Sequence, residues 1–335
     1  MSGGGPDARA AALLDLLAGK ARAQAVSTAA ALGVADHLGD APRDARTLAD
    51  TLAVDADALE RLLRILAGLG LLEEEPGRGF VLTDLGRTLR KDALGPLAAF
   101  VGAAEQWDPW ARLRDALAGG GTAYARTHGV DLYEHLARDE SAAGRYDAAV
   151  DAFTRAEVEA LAAAFDFGAV GTVVDVGGGR GSALAALLER FPSLRGVLLD
   201  LPPVVARHGP GLRERFGERV ECVGGSFRDV LPAGADVYVL KHVLHNWGDD
   251  DAVRLLAGCR DAMADGGRVL AIEGILLPGN RPDTAHLLDL EMLVLTGGRE
   301  RRKPELRRLF AESGLALERV TRLGPLGHLL EGRRR

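Results

Sequence analysis

Up to about Arg90, apolar residues recur at helical spacing and are separated by polar stretches. Leu13, Leu14 and Leu17 open one helix, and the alanine-rich run Ala21 to Leu32 continues the pattern as a second that allows close helix contacts. Asp44 to Asp50 predicts a short helix. Asp55 to Leu69 predicts a longer one with a stripe of Leu59, Leu62, Leu63, Leu66 and Leu69. LLEEE, a turn over 76–79, FVLT and a helix from Asp84 complete the pattern of a winged-helix domain. From Pro96 to Phe167 the spacing stays helical, with GVDLYEHL at 129–136 before a long helix from Ser141 to Phe165 and a linker from Asp166 to Gly171. Beyond that linker the period changes. Short apolar runs at 172–176, 197–200, 221–223, 236–240 and 268–273 alternate with helical segments, which is the signature of a parallel α/β sheet. The expected organisation is a winged-helix domain over 1–95, a helical substrate-lining region over 96–166 and an α/β domain over 167–335.

The stretch TVVDVGGGRGS, Thr172 to Ser182, organises the second half. A strand runs into a turn of Gly177, Gly178, Gly179 and Gly181, and a helix follows from Ala183 to Arg190. Residues without a Cβ let a ligand lie against the backbone at a helix N-terminus. The next strand ends at Asp200, 23 residues beyond Gly177, where a carboxylate accepts both hydroxyls of a ribose. This is a nucleoside-binding half of an α/β sheet. Ser182 stands where a dinucleotide fingerprint has its third glycine, which tilts the reading away from NAD without excluding it.

The 335 residues, 47% hydrophobic and 27% charged, support a substantial core and two domains. A net charge of -7 argues against a nonspecific nucleic-acid surface. The would-be recognition helix DADALERLLRILAGL begins with Asp55, Asp57 and Glu60 and offers only Arg61 and Arg64 to DNA, so dimerisation or a lid role is the stronger expectation. Cys222 and Cys259 lack metal-ligand spacing and fit a reducing cytoplasm. No apolar run reaches membrane-spanning length, and MSGGGPDARA does not read as a signal peptide.

Candidate chemistry gathers at the carboxyl ends of the strands, where open α/β sheets bind ligands. The third strand ends in GGSF at 224–227, and the fourth in Lys241 and His242, with His245, Asn246 and Trp247 one turn later. Glu273 follows the fifth strand, and Glu300 lies in TGGRERRK after the helix Ala285 to Leu295. A histidine oriented by a carboxylate makes a general base near neutral pH. Asp249 to Asp251 would tempt a metal assignment, but consecutive acids at a helix start are expected as N-terminal caps, and no metal is expected. Trp107, Pro109 and Trp110 are expected to cluster near Phe100; Tyr124, Tyr133 and Phe153 follow on separate segments. These aromatics serve either core packing or an apolar pocket for a flat substrate.

Taken together, DVGGGRG (175–181), LDLP (199–202), GGSF, LKHVLHNW (240–247), AIEGILLP (271–278) and GGRERRKPEL (297–306) resemble the S-adenosylmethionine-dependent small-molecule O-methyltransferases. These include plant caffeate and flavonoid enzymes and the bacterial enzymes that methylate phenolic polyketides. The resemblance covers nearly the whole chain and implies a class I methyltransferase fold, a Rossmann-like seven-stranded sheet with its last strand, about Gly327 to Leu330, antiparallel. It further implies an N-terminal winged-helix dimerisation domain and a cytoplasmic homodimer that binds neither nucleic acid nor membrane. The cofactor would be S-adenosyl-L-methionine, against Gly177, Gly179, Asp200, Leu201, Ser226, Phe227 and Lys241, the last on the adenine side. His245 would be the general base flanked by Glu273 and Glu300, with Phe153, Trp247 and Met292 toward an aromatic acceptor. Ser226 replaces the aspartate of many relatives and gives no charge assistance to the adenine amine. Two other functions stay open: a relative diverted to decarboxylation or hydroxylation, and a winged-helix regulator of DNA. Retention of His245, Glu273 and Glu300 argues against the first, and the acidic helix against the second.

Overall fold

The computed structural model describes residues 6–228, 231–279, 283–324 and 327–335. The chain divides into two compact units, Met1–Trp107 with Gly144–Phe153, and Asp108–Ala143 with Thr154–Arg335. The helix Glu140–Ala164 contributes to both.

In the first unit, helices Pro6–Leu17, Gly19–Ala31, Val34–Leu38, Ala45–Leu52 and Ala56–Gly68 precede an antiparallel hairpin of β1 (Leu72–Glu75) and β2 (Gly79–Leu82). Asp44 caps Ala45–Leu52 through the Thr47 amide, and Asp55 caps Ala56–Gly68 through that of Ala58. Of the expected stripe, Leu59, Leu63 and Leu66 are buried with Leu48, Phe80 and Leu82, while Leu62 and Leu69 pack at the margin. Arg61 and Arg64, the basic residues of that helix face, are paired with Asp57 and Glu60 of the same helix. Phe100 meets Tyr146 edge-on at 5.8 Å, a ring from the long helix that was not part of the expected cluster.

The second unit is built on a seven-stranded sheet: β3 (Thr172–Val176), β4 (Arg195–Asp200), β5 (Val220–Gly224), β6 (Val237–Lys241), β7 (Arg268–Glu273), β8 (Leu315–Arg322) and β9 (His328–Arg334), in the order β5-β4-β3-β6-β7-β9-β8. The first five strands are parallel, and β9 runs antiparallel to both β7 and β8. Alternate residues bury on opposite faces: Val174, Val176, Tyr238, Leu240 and Ala271 on one, Val173, Val239, Leu270 and Ile272 on the other. Phe167, in the expected linker, is wholly buried with Leu161. The last strand extends past Leu330 because its charged end is paired across the ladder, Glu331 with Arg319 and Arg333 with Glu318. Chain order reverses between β3 and β6, so the crevice at their carboxyl ends is the topological switch point where such sheets bind ligands. Among the described residues, no helix is long and apolar enough to cross a membrane.

The first unit also closes around backbone contacts that admit only glycine. A Cβ on Gly86 would stand 1.9 Å from the Leu71 carbonyl oxygen, whereas one on Gly19 meets nothing within 4 Å. Gly86→Ala should therefore cost roughly 1–3 kcal/mol or more in chemical denaturation. Gly19→Ala should leave stability within about 1 kcal/mol, in the stabilising direction. Equal midpoints for the two variants would contradict this packing.

Candidate active site

The glycine turn gives each of its residues a distinct task. Gly177, Gly179 and Gly181 adopt positive φ, and the backbone of Gly181 caps the helix Ser182–Arg190 in the left-handed conformation. A Cβ on Gly178 would strike the Asp175 carboxyl, 2.5 Å away, while one on Gly179 would meet only open space. The turn is tight on its inner side and bare on its outer side, as a backbone cradle for a ligand requires. Asp200 ends β4 and receives hydrogen bonds from the amides of Gly179 (2.7 Å) and Leu201 (2.6 Å), which lock the second strand end to the glycine turn. Asp175, in the same motif but not singled out by sequence reasoning, is buried, and its Oδ2 lacks a hydrogen-bond partner. Burial pushes its carboxyl up to about 7, Lys241 opposing. An orphaned buried acceptor beside an open glycine cradle fits a cationic cofactor, so the residues present suit S-adenosylmethionine.

In the loop after β5, Ser226 Oγ accepts from the amide of Arg228 at 3.1 Å. Phe227 meets Trp247 edge-on at 5.3 Å, the Arg228 guanidinium lies 4.6 Å from the Trp247 ring centre, and Tyr133 stacks on it at 6.4 Å. Trp247, expected toward the acceptor, thus packs with the loop expected at the cofactor. Lys241 is nearly buried, 3.9 Å from Glu157. Met292 is buried on the helix Thr284–Leu295, against which the helix Ala123–His128 packs. Phe153 lies on the part of the long helix that belongs to the first unit.

His245 sits in a 3₁₀ turn, Leu244–Asn246, directly after β6, and is only 7% exposed. Its Nδ1 is 2.6 Å from Glu300 Oε1 and 3.9 Å from Glu273 Oε2, so the two carboxylates named from sequence do converge on it. Glu273 Oε1 accepts the amides of Val243 and Leu244, which fixes the start of the turn to β7. Burial disfavours the imidazolium, but the Glu300 hydrogen bond and the fields of Glu273 and Glu300 outweigh it and raise the pKa of His245. Burial likewise raises that of Glu273.

Two neighbours, Glu157 and Arg301, were invisible in the sequence, and so was the pairing of His242 with Glu157. His242 has a left-handed backbone (φ 54°), and its Nε2 lies 2.9 and 3.0 Å from the two oxygens of Glu157, a residue of the alanine-rich long helix. Burial lowers the His242 pKa despite that partner. Arg301 is 2% exposed and binds Asp249, which corrects the capping expectation: Gly248 occupies the cap position of the helix Asp249–Ala262, Asp249 pairs with Arg301 and Arg308, and Asp251 with Arg228 and Arg254. Among the described residues, His242, His245 and Glu273 bring potential metal-ligand atoms within 4.8 Å of one another. The ammonium of Lys241 acts on His242 and His245 and opposes a cation there.

Comparison with known proteins agrees with this geometry. Residues 110–316 match the O-methyltransferase domain family and residues 14–92 the O-methyltransferase dimerisation domain. The mitomycin biosynthesis 6-O-methyltransferase of Streptomyces lavendulae is 37% identical over 94% of this chain and 92% of its own. CalO1, a methyltransferase in calicheamicin biosynthesis solved with S-adenosylhomocysteine bound, superposes with a TM-score of 0.86 at 38% identity, covering 99% of this chain and 100% of that one. Aclacinomycin 10-hydroxylase RdmB of Streptomyces purpurascens is 37% identical over 88% of this chain and 81% of its own. With a nucleoside cradle, a carboxylate-held histidine and both family domains in place, the chain belongs to the S-adenosylmethionine-dependent O-methyltransferases of bacterial secondary metabolism and is an enzyme of that class.

Proposed function

We propose that this enzyme methylates a phenolic hydroxyl of an aromatic secondary metabolite or its precursor, with His245 as general base. The observation that carries the reading is the 2.6 Å contact of His245 Nδ1 with Glu300. The family holds transferases and a hydroxylase alike, and an imidazole oriented by a carboxylate serves proton removal. The names of the mitomycin and calicheamicin relatives support an acceptor of antibiotic type.

Bound S-adenosylmethionine supplies an electrophilic methyl group on sulfur. Gly177, Gly179, Asp175, Asp200, Leu201, Ser226, Phe227 and Lys241 would hold and orient it, with Trp247 packed against Phe227. Met292 contributes to the acceptor wall. A phenol with a pKa near 10 gives up its proton to the Nε2 of His245 while Nδ1 stays on Glu300. Glu300 and Glu273 then stabilise the imidazolium, and alignment of the oxygen, methyl and sulfur supplies the rest of the rate.

His245→Ala should lower turnover by roughly 10²–10⁴-fold while leaving S-adenosylhomocysteine affinity unchanged in calorimetry. The base acts deprotonated and its pKa is raised, so the wild-type rate should climb with pH through a limb displaced to the alkaline side of an ordinary histidine. Full activity of His245→Ala at neutral pH would defeat the mechanism. Asp200→Ala should instead weaken cofactor binding; unchanged affinity would remove Asp200 from the ribose.

We further propose a homodimer formed through the N-terminal domain. The helix Pro6–Leu17 carries Leu13, Leu14, Leu16 and Leu17, each 57–76% exposed. Light scattering should give a dimer for the full chain, and Leu14→Arg combined with Leu17→Arg should shift it to monomer. A monomeric wild type would end the proposal.

A further inference from the structure

The segment Gly298–Arg301 is bound to the backbone around His245 and does more than deliver Glu300. The Arg299 amide donates to the His245 carbonyl at 2.7 Å, and a Cβ on Gly298 would stand 1.9 Å from that same oxygen. Arg301 spans the turn: Nη1 donates to the Leu244 carbonyl at 3.0 Å, Nη2 to the Trp247 carbonyl at 2.7 Å, and Nε to Asp249 Oδ1 at 2.9 Å. One guanidinium therefore holds the peptide before the catalytic histidine and the one after Trp247, and ties both to the start of the next helix. Its own backbone is anchored by the Leu276 amide, which donates to the Arg301 carbonyl at 3.0 Å.

A fully buried arginine is expensive unless every donor edge is used. Here the planar fork is matched by two carbonyls and a carboxylate, a set that the compact ammonium of lysine cannot reach together. Asp249 also binds Arg308, which leaves it oriented toward Arg301 on its other oxygen.

We propose that Arg301 is a positioning residue for the methyl transfer: by clasping Leu244 and Trp247 it holds the His245 ring at hydrogen-bonding distance from Glu300. The proposal rests on His245 being the base. Without the clasp, the Leu244 and Trp247 carbonyls lose these donors, the turn gains freedom, and the Nδ1–Glu300 contact opens. The histidine should then be less basic and less well aimed. The charged and titratable groups around that ring are Glu300 with Asp289 behind it, Glu273 on β7, Lys241 and His242 at the end of β6, Glu157 on the long helix, and Arg301 itself.

The test uses Arg301→Gln and Arg301→Lys in the full chain, with Glu300→Gln, the Arg301→Gln/Glu300→Gln double variant and His245→Ala in parallel. Folding is checked by thermal melting and S-adenosylhomocysteine affinity. Arg301→Gln should reduce kcat on the order of 10²-fold, as a misplaced catalytic group does, with a much smaller change in acceptor KM. Arg301→Lys should recover only part of that loss. In histidine-labelled protein with S-adenosylhomocysteine bound, the NMR titration of His245, assigned by its loss in His245→Ala, should shift to lower pH in Arg301→Gln. The double variant should be little slower than Glu300→Gln alone, because both act through one contact. If neither Arg301 variant folds, Asp249→Asn, on a partly exposed residue, should give a smaller change in the same directions. Wild-type kcat, an unmoved His245 titration or fully multiplicative losses in a folded variant would overturn the proposal. An active His245→Ala would instead overturn the base assignment on which it rests.

Discussion

The active site depends on keeping an imidazole and its carboxylates out of water without leaving any of them unpartnered. His245, Glu273 and Glu300 are all less than a tenth exposed, and each buried charge is costly unless a hydrogen bond or an opposite charge meets it. Glu300 is answered by His245, and one oxygen of Glu273 by two backbone amides at the start of the turn. The other Glu273 oxygen has no hydrogen-bond partner and lies 3.9 Å from His245. That imbalance suits the proposed role of His245, because the field of Glu273 acts more strongly on a protonated ring than on a neutral one.

The parallel sheet makes this possible by bringing separate chain segments to one rim. β3 and β4 end in the glycine turn and Asp200, β6 in Lys241 and the histidine turn, and β7 in Glu273. The reversal of strand order between β3 and β6 opens space between the first pair and the second, so the glycine turn and Asp200 adjoin the segment that follows β6. The two sides differ in character. Asp200 is bound by the amides of Gly179 and Leu201 and Asp175 is buried under the glycine turn, whereas the histidine turn is held by backbone contacts that leave little freedom to its ring.

Trp247 shows how tertiary packing redistributes the roles that adjacent letters suggest. It lies two residues after His245, yet its indole turns toward Phe227 and Arg228, and its carbonyl is taken by Arg301. A short 3₁₀ turn separates neighbouring side chains widely in direction, so the Trp247 indole and the His245 imidazole meet different partners. His242 makes the same point from the other end: its left-handed backbone sends the imidazole to Glu157 on the long helix, against the ordinary preference of a residue with a Cβ.

The layout of the second unit was legible in the chain because its signals are local. Apolar runs of strand length, glycines where the backbone needs positive φ, and carboxylates at strand ends identified the sheet, the cradle, Asp200, His245, Glu273 and Glu300. The family motifs supplied the antiparallel last strand and the cofactor. What the chain could not reveal are partners joined only by folding. Glu157 reads as one acid in an alanine-rich helix and meets His242 from 85 positions away. Arg301 stands in a run of arginines that looks like solvated surface, but it is the one brought against Leu244, Trp247 and Asp249, because the parallel bridge between Ile275 and Arg301 inserts it beneath the histidine turn. The end of β9 looked polar until its charges found Arg319 and Glu318 across the ladder. Local period and residue type determine which elements form. Whether a charged side chain is solvated or buried depends on what the finished fold packs against it, and that was decided only in three dimensions.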